Sequence, residues 1–150
     1  MMKDEMVCWT CLSNSGERRI SPGQTIYEGK YWLVEHAYPV KRKGWLVIVL
    51  KRHADALHEL TADEFSELGI IQARLTKLLY ETLNCQKEYV SCYAEMAGFY
   101  HIHFHVFAKP YDLPKDLFGG NSFALLKVPE TEAEPKETII EFCDLLVARW

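Results

Sequence analysis

The stretch His101-Ile102-His103-Phe104-His105-Val106-Phe107 decides both the fold class and the chemistry that the sequence predicts. Histidines stand at alternate positions, and every residue between them is apolar. Side chains at alternate positions of a β-strand point to the same face. We therefore predict a strand over residues 101–108 with three imidazoles on one face, while Ile102, Phe104 and Val106 enter the core on the other.

The histidine row also restricts the chemistry. Adjacent imidazolium rings repel each other, which lowers the pKa of each ring, so the row should be mostly neutral at neutral pH. Neutral imidazoles serve as nucleophiles, hydrogen-bond partners or metal ligands. A row used purely as a metal site is one alternative, because His-x-His on a strand is a common zinc arrangement. The isolated His36 and His58 are instead expected to be polar residues with satisfied hydrogen bonds.

Two further strands and a central strand precede this row. Residues 25–28 and 31–37 are rich in β-branched and aromatic side chains and are separated by Gly29-Lys30, which predicts a hairpin. Residues 44–50, GWLVIVL, form an almost continuous apolar run of strand length. Such a run predicts a central strand that is covered on both faces.

A long helix and a C-terminal helix complete the predicted fold. Thr61-Ala62-Asp63-Glu64 has the capping-box pattern, and a helical apolar face follows it over about 61–84, formed by Phe65, Leu68, Ile71, Leu75 and Leu79. Residues 88–94 predict a strand that reaches the histidine strand through a turn at 96–98. A second helix is expected from Pro135 to Trp150. We predict an α+β fold with a five-stranded antiparallel sheet, a long central helix and a C-terminal helix.

Length and composition predict one domain over residues 1–150. The chain has 150 residues and is 49% hydrophobic, enough for a single core without disulfides. The start MMKDEMVCWT lacks the apolar stretch of a signal peptide, and no run is long enough for a membrane span, so we expect a cytoplasmic protein without a membrane partner. The odd number of cysteines fits reduced thiols, and the closely spaced Cys8 and Cys11 resemble metal ligands.

The formal net charge of −4 disfavours a polynucleotide partner, because nucleic-acid surfaces are bound through basic patches. Lys41-Arg42-Lys43 and Lys51-Arg52 are a local exception. They are either solvated loop surface or a cluster that steers a small anion toward a pocket.

The sequence resembles the histidine-triad (HIT) nucleotide hydrolases and transferases, whose signature is His-φ-His-φ-His-φ-φ with φ apolar. HIHFHVF matches it throughout, and the hairpin, the GWLVIVLKRH strand and the capped helix follow in the family's order, with a tail similar to that of bacterial members. The resemblance implies a small-molecule nucleotide substrate and a homodimer. His103 would attack the α-phosphorus after a backbone carbonyl binds its Nδ1–H, His105 would bind the phosphate or leaving-group oxygen, and His101 completes the catalytic triad.

The resemblance also extends to a metal. Cys8-Trp9-Thr10-Cys11 alone is a weak signal that also fits a redox motif. Some bacterial HIT proteins combine such cysteines with two histidines, and the matching positions are His53 and His101. Two thiolates and two imidazoles would complete a tetrahedron, which implies a structural zinc with no open position.

The match to the family pattern breaks at several positions. Many relatives have a fourth histidine after the glycine that opens the central strand, and Trp45 stands there, so that partner is expected to be missing. The other departures are Ala37 in place of the acidic residue that holds the ribose, Ala97-Gly98 in place of a Gln-Ser or Gln-Thr pair, and Val90 in place of an amide side chain. Glu95 and Tyr100 are polar candidates nearby.

A phosphoanhydride or phosphoramidate hydrolase of the dinucleoside polyphosphate or nucleoside phosphoramidate class is the leading hypothesis. Nucleotidyl transfer to another acceptor is an alternative, although that branch commonly has glutamine at the third triad position, where this chain has His105. A nucleotide- or zinc-binding module with little turnover is the other alternative, because several usual contacts are missing.

Overall fold

A computed structural model describes residues 6–150, so the first five residues of the predicted 1–150 domain lie outside the described residues. Short 3-10 turns connect the principal helices and strands. In chain order these elements are α1 (Trp9–Asn14), β1 (Tyr27–Glu28), β2 (Trp32–His36), β3 (Trp45–Leu50), α2 (Ala62–Leu83), β4 (Lys87–Ser91), β5 (His103–Lys109) and α3 (Lys136–Arg149).

The strands form one sheet in the order β1-β2-β3-β5-β4, and each neighbouring pair is antiparallel. The long helix is α2, and α3 is the C-terminal helix that follows Pro135. The predicted α+β fold with its five-stranded antiparallel sheet is therefore confirmed. Within residues 6–150, none of the helices combines the length and apolar character that a membrane crossing needs.

The central strands β3 and β5 give the sheet two different faces. Leu46 lies opposite Val106 and Ile48 opposite Phe104, and both leucine and isoleucine are fully buried. This face packs on α2, where the indole of Trp32 donates to the Glu64 carbonyl at 2.8 Å. The alternation of side chains along a strand then assigns the triad histidines to the opposite face.

The capping box at the start of α2 forms as predicted, but the apolar face begins later. Thr61 Oγ1 accepts from the Glu64 N–H at 3.1 Å, and the Glu64 carboxylate accepts from the Thr61 N–H at 2.9 Å. Phe65 is 43% exposed, so its predicted place in the buried face is wrong. Glu64 is buried instead, because Arg52 forms two hydrogen bonds to its carboxylate.

Two predicted strand boundaries and one helix differ from the structure. β5 begins at His103, because residue 102 exchanges backbone hydrogen bonds with Leu50 and Ala54 outside the regular ladder. β4 ends at Ser91, and the chain then runs as a loop over 92–102, with Ala94 in the left-handed conformation. α1 was not predicted. Its six residues are too few to show a helical apolar period.

His36 is a buried histidine without a charge partner. Its Nδ1–H donates to the Ala37 carbonyl at 2.7 Å, and its Nε2 accepts from the Gly44 N–H at 3.0 Å. Complete burial lowers the pKa of His36 to about 4. The ring is therefore neutral with both nitrogens bonded, which is the satisfied polar residue that the sequence predicts.

This burial makes the stability of the fold depend on pH. His36 binds a proton near 6.5 in the unfolded chain but near 4 in the folded protein. The stabilisation is thus complete above about pH 6.5 and declines as the pH falls toward 4, by on the order of 3 kcal/mol in all. We expect the free energy of unfolding of His36→Gln, measured with urea, to fall less than that of the native protein between about pH 6.5 and pH 4. The exposed-site control His58→Gln should behave like the native protein. The prediction would be contradicted if the free energy of unfolding depended on pH identically in the native protein and both variants.

Candidate active site and metal centre

The pairing of β5 with β3 brings two triad histidines together on one face. His103 lies opposite Val49 and His105 lies opposite Val47. The two imidazole centroids are 4.9 Å apart, with the ring planes at 73°. His101 precedes β5, and its ring lies in a separate cluster with cysteines, so the three rings do not form one uniform row.

His103 has a fixed tautomer. Its Nδ1 lies 2.8 Å from the backbone oxygen of His101, and a carbonyl only accepts, so Nδ1 carries the proton. Nε2 then holds a free lone pair. Burial lowers the pKa of His103, and the nearby Lys127 cation lowers it further. The ring is thus neutral at neutral pH, with the free lone pair that a base or a nucleophile requires.

His105 has the opposite tautomer. The indole N–H of Trp45 donates to His105 Nδ1 at 2.9 Å, so the proton of the neutral ring is on Nε2. Burial, together with His103 and Lys127, lowers the pKa of His105 to about 3. Trp45 stands where many relatives have the fourth histidine, and its indole N–H reaches the imidazole of His105 from β3.

Both imidazoles line a cavity of about 410 Å³. Its walls also include residues that the sequence did not single out: Thr10, Ser13 and Asn14 from α1, and Phe123 from the loop after β5. The ring of Phe123 lies 4.9 Å from that of His105, so the loop that follows β5 packs against this face of the sheet. No sequence signal connects α1 with this cavity, since the contact depends on the tertiary fold.

Lys127 is the cation at this cavity among the described lining residues, imidazoles excepted. It has a positive φ of 52° and places its ammonium 4.0 Å from the ring of Phe99, where it also contacts Met96. The basic runs noted in the sequence are elsewhere: Arg42 pairs with Asp112 and Lys51 with Glu28. These basic runs are therefore solvated surface, the first of the two alternatives, and do not line the cavity.

Cys8, Cys11, His53 and His101 form a second cluster beside the triad. One ligand atom from each lies within 4.8 Å of all the others. Cys11 Sγ is 3.3 Å from His53 Nδ1 and 3.4 Å from His101 Nδ1, and Cys8 Sγ is 3.8 Å from His101 Nδ1. The structure thus brings together all four residues of the predicted zinc set.

The geometry and the outer contacts fit zinc. Zn–S and Zn–N bonds of about 2.3 and 2.0 Å give a tetrahedron with edges of roughly 3.3 to 3.8 Å. The outer nitrogen of each histidine is already engaged, His101 Nε2 with the Leu50 carbonyl at 2.6 Å and His53 Nε2 with Asp55 at 2.7 Å. Each Nδ1 is therefore left as the lone-pair donor that a metal requires.

Known proteins resemble this chain in sequence and in fold. A family model described as "Scavenger mRNA decapping enzyme C-term binding" matches residues 10–117, which include all three triad histidines. The chain belongs to the histidine-triad family. The predicted family is therefore confirmed. A search of the curated proteins finds no sequence match.

Solved histidine-triad structures share the fold at low sequence identity. A zinc-bound histidine-triad protein from Mycobacterium smegmatis is 18% identical with a TM-score of 0.66, covering 95% of this chain and 94% of that one. A hypothetical histidine-triad nucleotide-binding protein from Sulfolobus tokodaii is 16% identical with a TM-score of 0.69, covering 95% and 90%. Plasmodium falciparum diadenosine triphosphate hydrolase, solved with cyclomarin A, is 11% identical with a TM-score of 0.63, covering 83% and 74%.

An acidic residue lies in this histidine-triad cavity despite Ala37. Glu35 is two positions earlier on the same face of β2 and lines the cavity. Its carboxylate accepts two hydrogen bonds from Arg19, at 2.8 and 3.0 Å, and one from Thr25 at 2.6 Å. Strand alternation was the signal that could have found it, because positions 35 and 37 point the same way.

The other departures from the family pattern have structural roles or lie outside the cavity. Gly98, with φ of +82°, accepts from the Trp9 N–H at 3.1 Å, and a Cβ there would come within 2.4 Å of the Trp9 ring. This glycine thus lets α1 dock. Of the polar candidates, Glu95 lines the cavity, whereas Tyr100 is not among its described lining residues. Val90 is 45% exposed on β4.

Metal analysis tests the zinc cluster. We expect about one zinc per chain in protein made without chelators, and less than about a tenth of that in Cys8→Ser or Cys11→Ser, because removal of one thiolate opens the tetrahedron. Cys85→Ala, which removes a buried thiol outside the cluster, should retain the metal. Stoichiometric zinc in Cys11→Ser would contradict the four-ligand assignment.

Proposed function

We propose that this histidine-triad protein hydrolyses nucleotide phosphoanhydride or phosphoramidate bonds through a nucleotidyl-His103 intermediate. The observation that carries the proposal is the 2.8 Å hydrogen bond between His103 Nδ1 and the His101 carbonyl. It fixes the proton on one nitrogen and leaves the other with a lone pair at the cavity wall. A buried neutral imidazole in this tautomer is a competent nucleophile.

Attack by His103 Nε2 forms a bond to the α-phosphorus as the bond to the leaving group breaks. The Nδ1 proton stays on the ring, so the positive charge that develops is stabilised by the His101 carbonyl. Water then attacks the same phosphorus, and the P–N bond breaks with its electron pair returning to Nε2. Each of these displacements has a lower barrier than one direct attack by water.

The other cavity groups bind charge rather than react. His105 presents its Nε2–H as a donor to a phosphoryl or leaving-group oxygen. Lys127 supplies a full positive charge, which phosphate oxygens require as they gather charge in the transition state. The cavity volume of about 410 Å³ lies in the range of about 300 to 1,000 Å³ that is common for small-molecule sites, which favours a small nucleotide over a polynucleotide.

Cys8, Cys11, His53 and His101 would hold the proposed zinc. When bound, the metal would cross-link Cys8 and Cys11 to His53 and to His101, the first triad histidine, and with four protein ligands it would have no open position for the substrate. Two structural neighbours, a zinc-bound histidine-triad protein and a diadenosine triphosphate hydrolase, support the metal and the substrate class.

Removal of the nucleophile tests the reaction. Of diadenosine polyphosphates and adenosine phosphoramidate, whichever the native protein hydrolyses should be hydrolysed at least about 1,000-fold more slowly by His103→Ala, because the covalent route is closed. His58→Ala, at an exposed histidine outside the cavity, should retain full activity. Alkaline quenching of the native reaction should trap a nucleotidyl group on His103, because a P–N bond to histidine is stable to base and labile to acid. Unchanged turnover in His103→Ala would exclude the mechanism, and tight nucleotide binding without turnover would favour a binding module.

We further propose a homodimer formed through β4. This strand is at the edge of the sheet, so one row of its backbone groups has no strand partner among residues 6–150. Exposed apolar side chains accompany it, with Val90 45%, Tyr93 62% and Met96 55% exposed. An edge strand with apolar neighbours is a ready surface for pairing with a second copy.

Light scattering tests the dimer. At micromolar concentration the native protein should have about twice the 17.4 kDa mass of one chain. Val90→Lys should shift the mass toward that of one chain, because a charge on an edge strand opposes pairing. Ile70→Lys, which changes a 71% exposed residue on α2, is the matched control and should stay dimeric. A native mass near 17.4 kDa would remove the proposal.

A further inference from the structure

The indole of Trp45 is held in one orientation against His105. Trp45 is 1% exposed, and it stacks on Phe107 with ring centroids 4.6 Å apart. Phe123 packs edge-on against the same indole at 5.2 Å. The hydrogen bond of 2.9 Å from Nε1 to His105 Nδ1 therefore belongs to a tightly packed aromatic cluster and cannot be replaced by rotation of the indole.

This hydrogen bond restricts the protonation of His105. An indole N–H can donate but cannot accept. If His105 became an imidazolium, its Nδ1–H would face the indole N–H, and two donors would oppose each other in a buried site. The neutral ring with its proton on Nε2 is the form that satisfies both groups, so His105 can donate a hydrogen bond without giving up a proton.

Few other groups in the cavity can supply a proton. The Nδ1–H of His103 is bound by the His101 carbonyl and faces away from the attacking nitrogen. The carboxylate of Glu35 is paired with Arg19. Glu95 also lines the cavity, as an exposed carboxylate that accepts hydrogen bonds. Among the described lining residues, the ammonium of Lys127 is the remaining charged donor, and it contacts Met96 and the Phe99 ring.

We propose that Trp45 holds His105 as a neutral Nε2–H donor and thereby restricts the enzyme to phosphoanhydrides, whose leaving group departs as an anion. Phosphoramidates are excluded, because an amine must gain a proton as it leaves. Trp45 is a positioning residue that acts through His105. The inference rests on the proposed function and narrows its substrate class.

The first step balances without a proton transfer. The Nε2 lone pair of His103 forms the P–N bond, and the electron pair of the broken P–O bond leaves with the bridging oxygen. That oxygen departs as part of a phosphate anion, which accepts a hydrogen bond from His105 and is stabilised by the charge of Lys127. In the second step water forms the new P–O bond, the pair of the P–N bond returns to Nε2, and the water proton passes to solvent.

The same geometry is unfavourable for a P–N substrate. Its leaving nitrogen would depart as an amide anion unless a general acid protonates it, and general acids contribute about 10²- to 10⁴-fold to such steps. His105 cannot fill that role while Trp45 donates to its Nδ1. Two adenylates of similar size therefore test the proposal. Adenosine 5′-(4-nitrophenyl phosphate) releases an oxygen anion, whereas adenosine 5′-phosphoranilidate releases an amine that must gain a proton.

The hydrogen bond itself is tested by nitrogen NMR of histidine-labelled protein, without reference to turnover. His105 Nδ1 should resonate as an unprotonated, hydrogen-bonded nitrogen at neutral pH, and the Trp45 indole proton should exchange slowly with solvent. In Trp45→Phe the Nδ1 resonance should move toward that of an unbonded nitrogen. Phe65→Leu, at an exposed phenylalanine on α2 outside the cavity, should retain the native pattern. A proton on His105 Nδ1 in the native protein would overturn the proposal.

Turnover tests the substrate class. Native protein should cleave the nitrophenyl ester and diadenosine tetraphosphate, and it should cleave the phosphoranilidate at least about 100-fold more slowly. Trp45→Phe should lower the rate of cleavage of the nitrophenyl ester about 3- to 10-fold, the usual effect of one lost hydrogen bond. The ratio of the ester rate to the phosphoranilidate rate should therefore be smaller in Trp45→Phe than in the native protein.

The outcomes separate the two proposals. Equal cleavage of the ester and the phosphoranilidate would overturn the substrate restriction and leave the proposed function intact. Phosphoranilidate cleavage that disappears in Lys127→Gln would also overturn it, because Lys127 would then be the proton donor. No cleavage of any of the three substrates, with no trapped nucleotidyl-His103, would refute the proposed function itself.

Discussion

The antiparallel pairing of β3 with β5 is the constraint on which the other features depend. It sets Val47 opposite His105 and Val49 opposite His103, and a shift of one residue would exchange the two faces. The apolar partners on the other face, such as Ile48 and Val106, are fully buried, so such a shift would move these side chains from the core to the cavity. The hydrophobic core thus fixes the register, and the register fixes the active-site face.

His101 connects the cysteine–histidine cluster to His103 through two different groups. Its Nδ1 lies beside Cys8 and Cys11, while its carbonyl oxygen accepts from His103 Nδ1. The residue lies outside the regular strand, and this departure lets its ring turn toward the cluster. Its Nε2 contact with the Leu50 carbonyl ties the same ring to the end of β3. A structural metal here would therefore also hold the carbonyl that sets the tautomer of His103.

The sequence predicts those features that depend on periodicity and local caps. Alternation revealed the two faces of β5, and the capping box located the start of α2 at Thr61. The contacts that cross between elements were not predictable, because they depend on tertiary packing. Trp45 was interpreted as the loss of a histidine partner, since residue type alone does not show that an indole N–H reaches His105. Lys127 likewise has no signal, because its approach to the cavity depends on a left-handed turn in an irregular loop.

A tryptophan can replace a histidine beside His105 because only a donor toward Nδ1 is needed to hold the ring. The replacement is not chemically equal, however, since an imidazole can also accept and relay a proton, and an indole cannot. The exchange therefore keeps the orientation of His105 and removes its route to a proton. With both imidazoles neutral, the negative charge of the transition state would be stabilised by Lys127 and by oriented N–H donors. We expect a site built this way to stabilise anions well and to protonate a leaving group poorly, which is the physical basis of the proposed restriction to phosphoanhydrides.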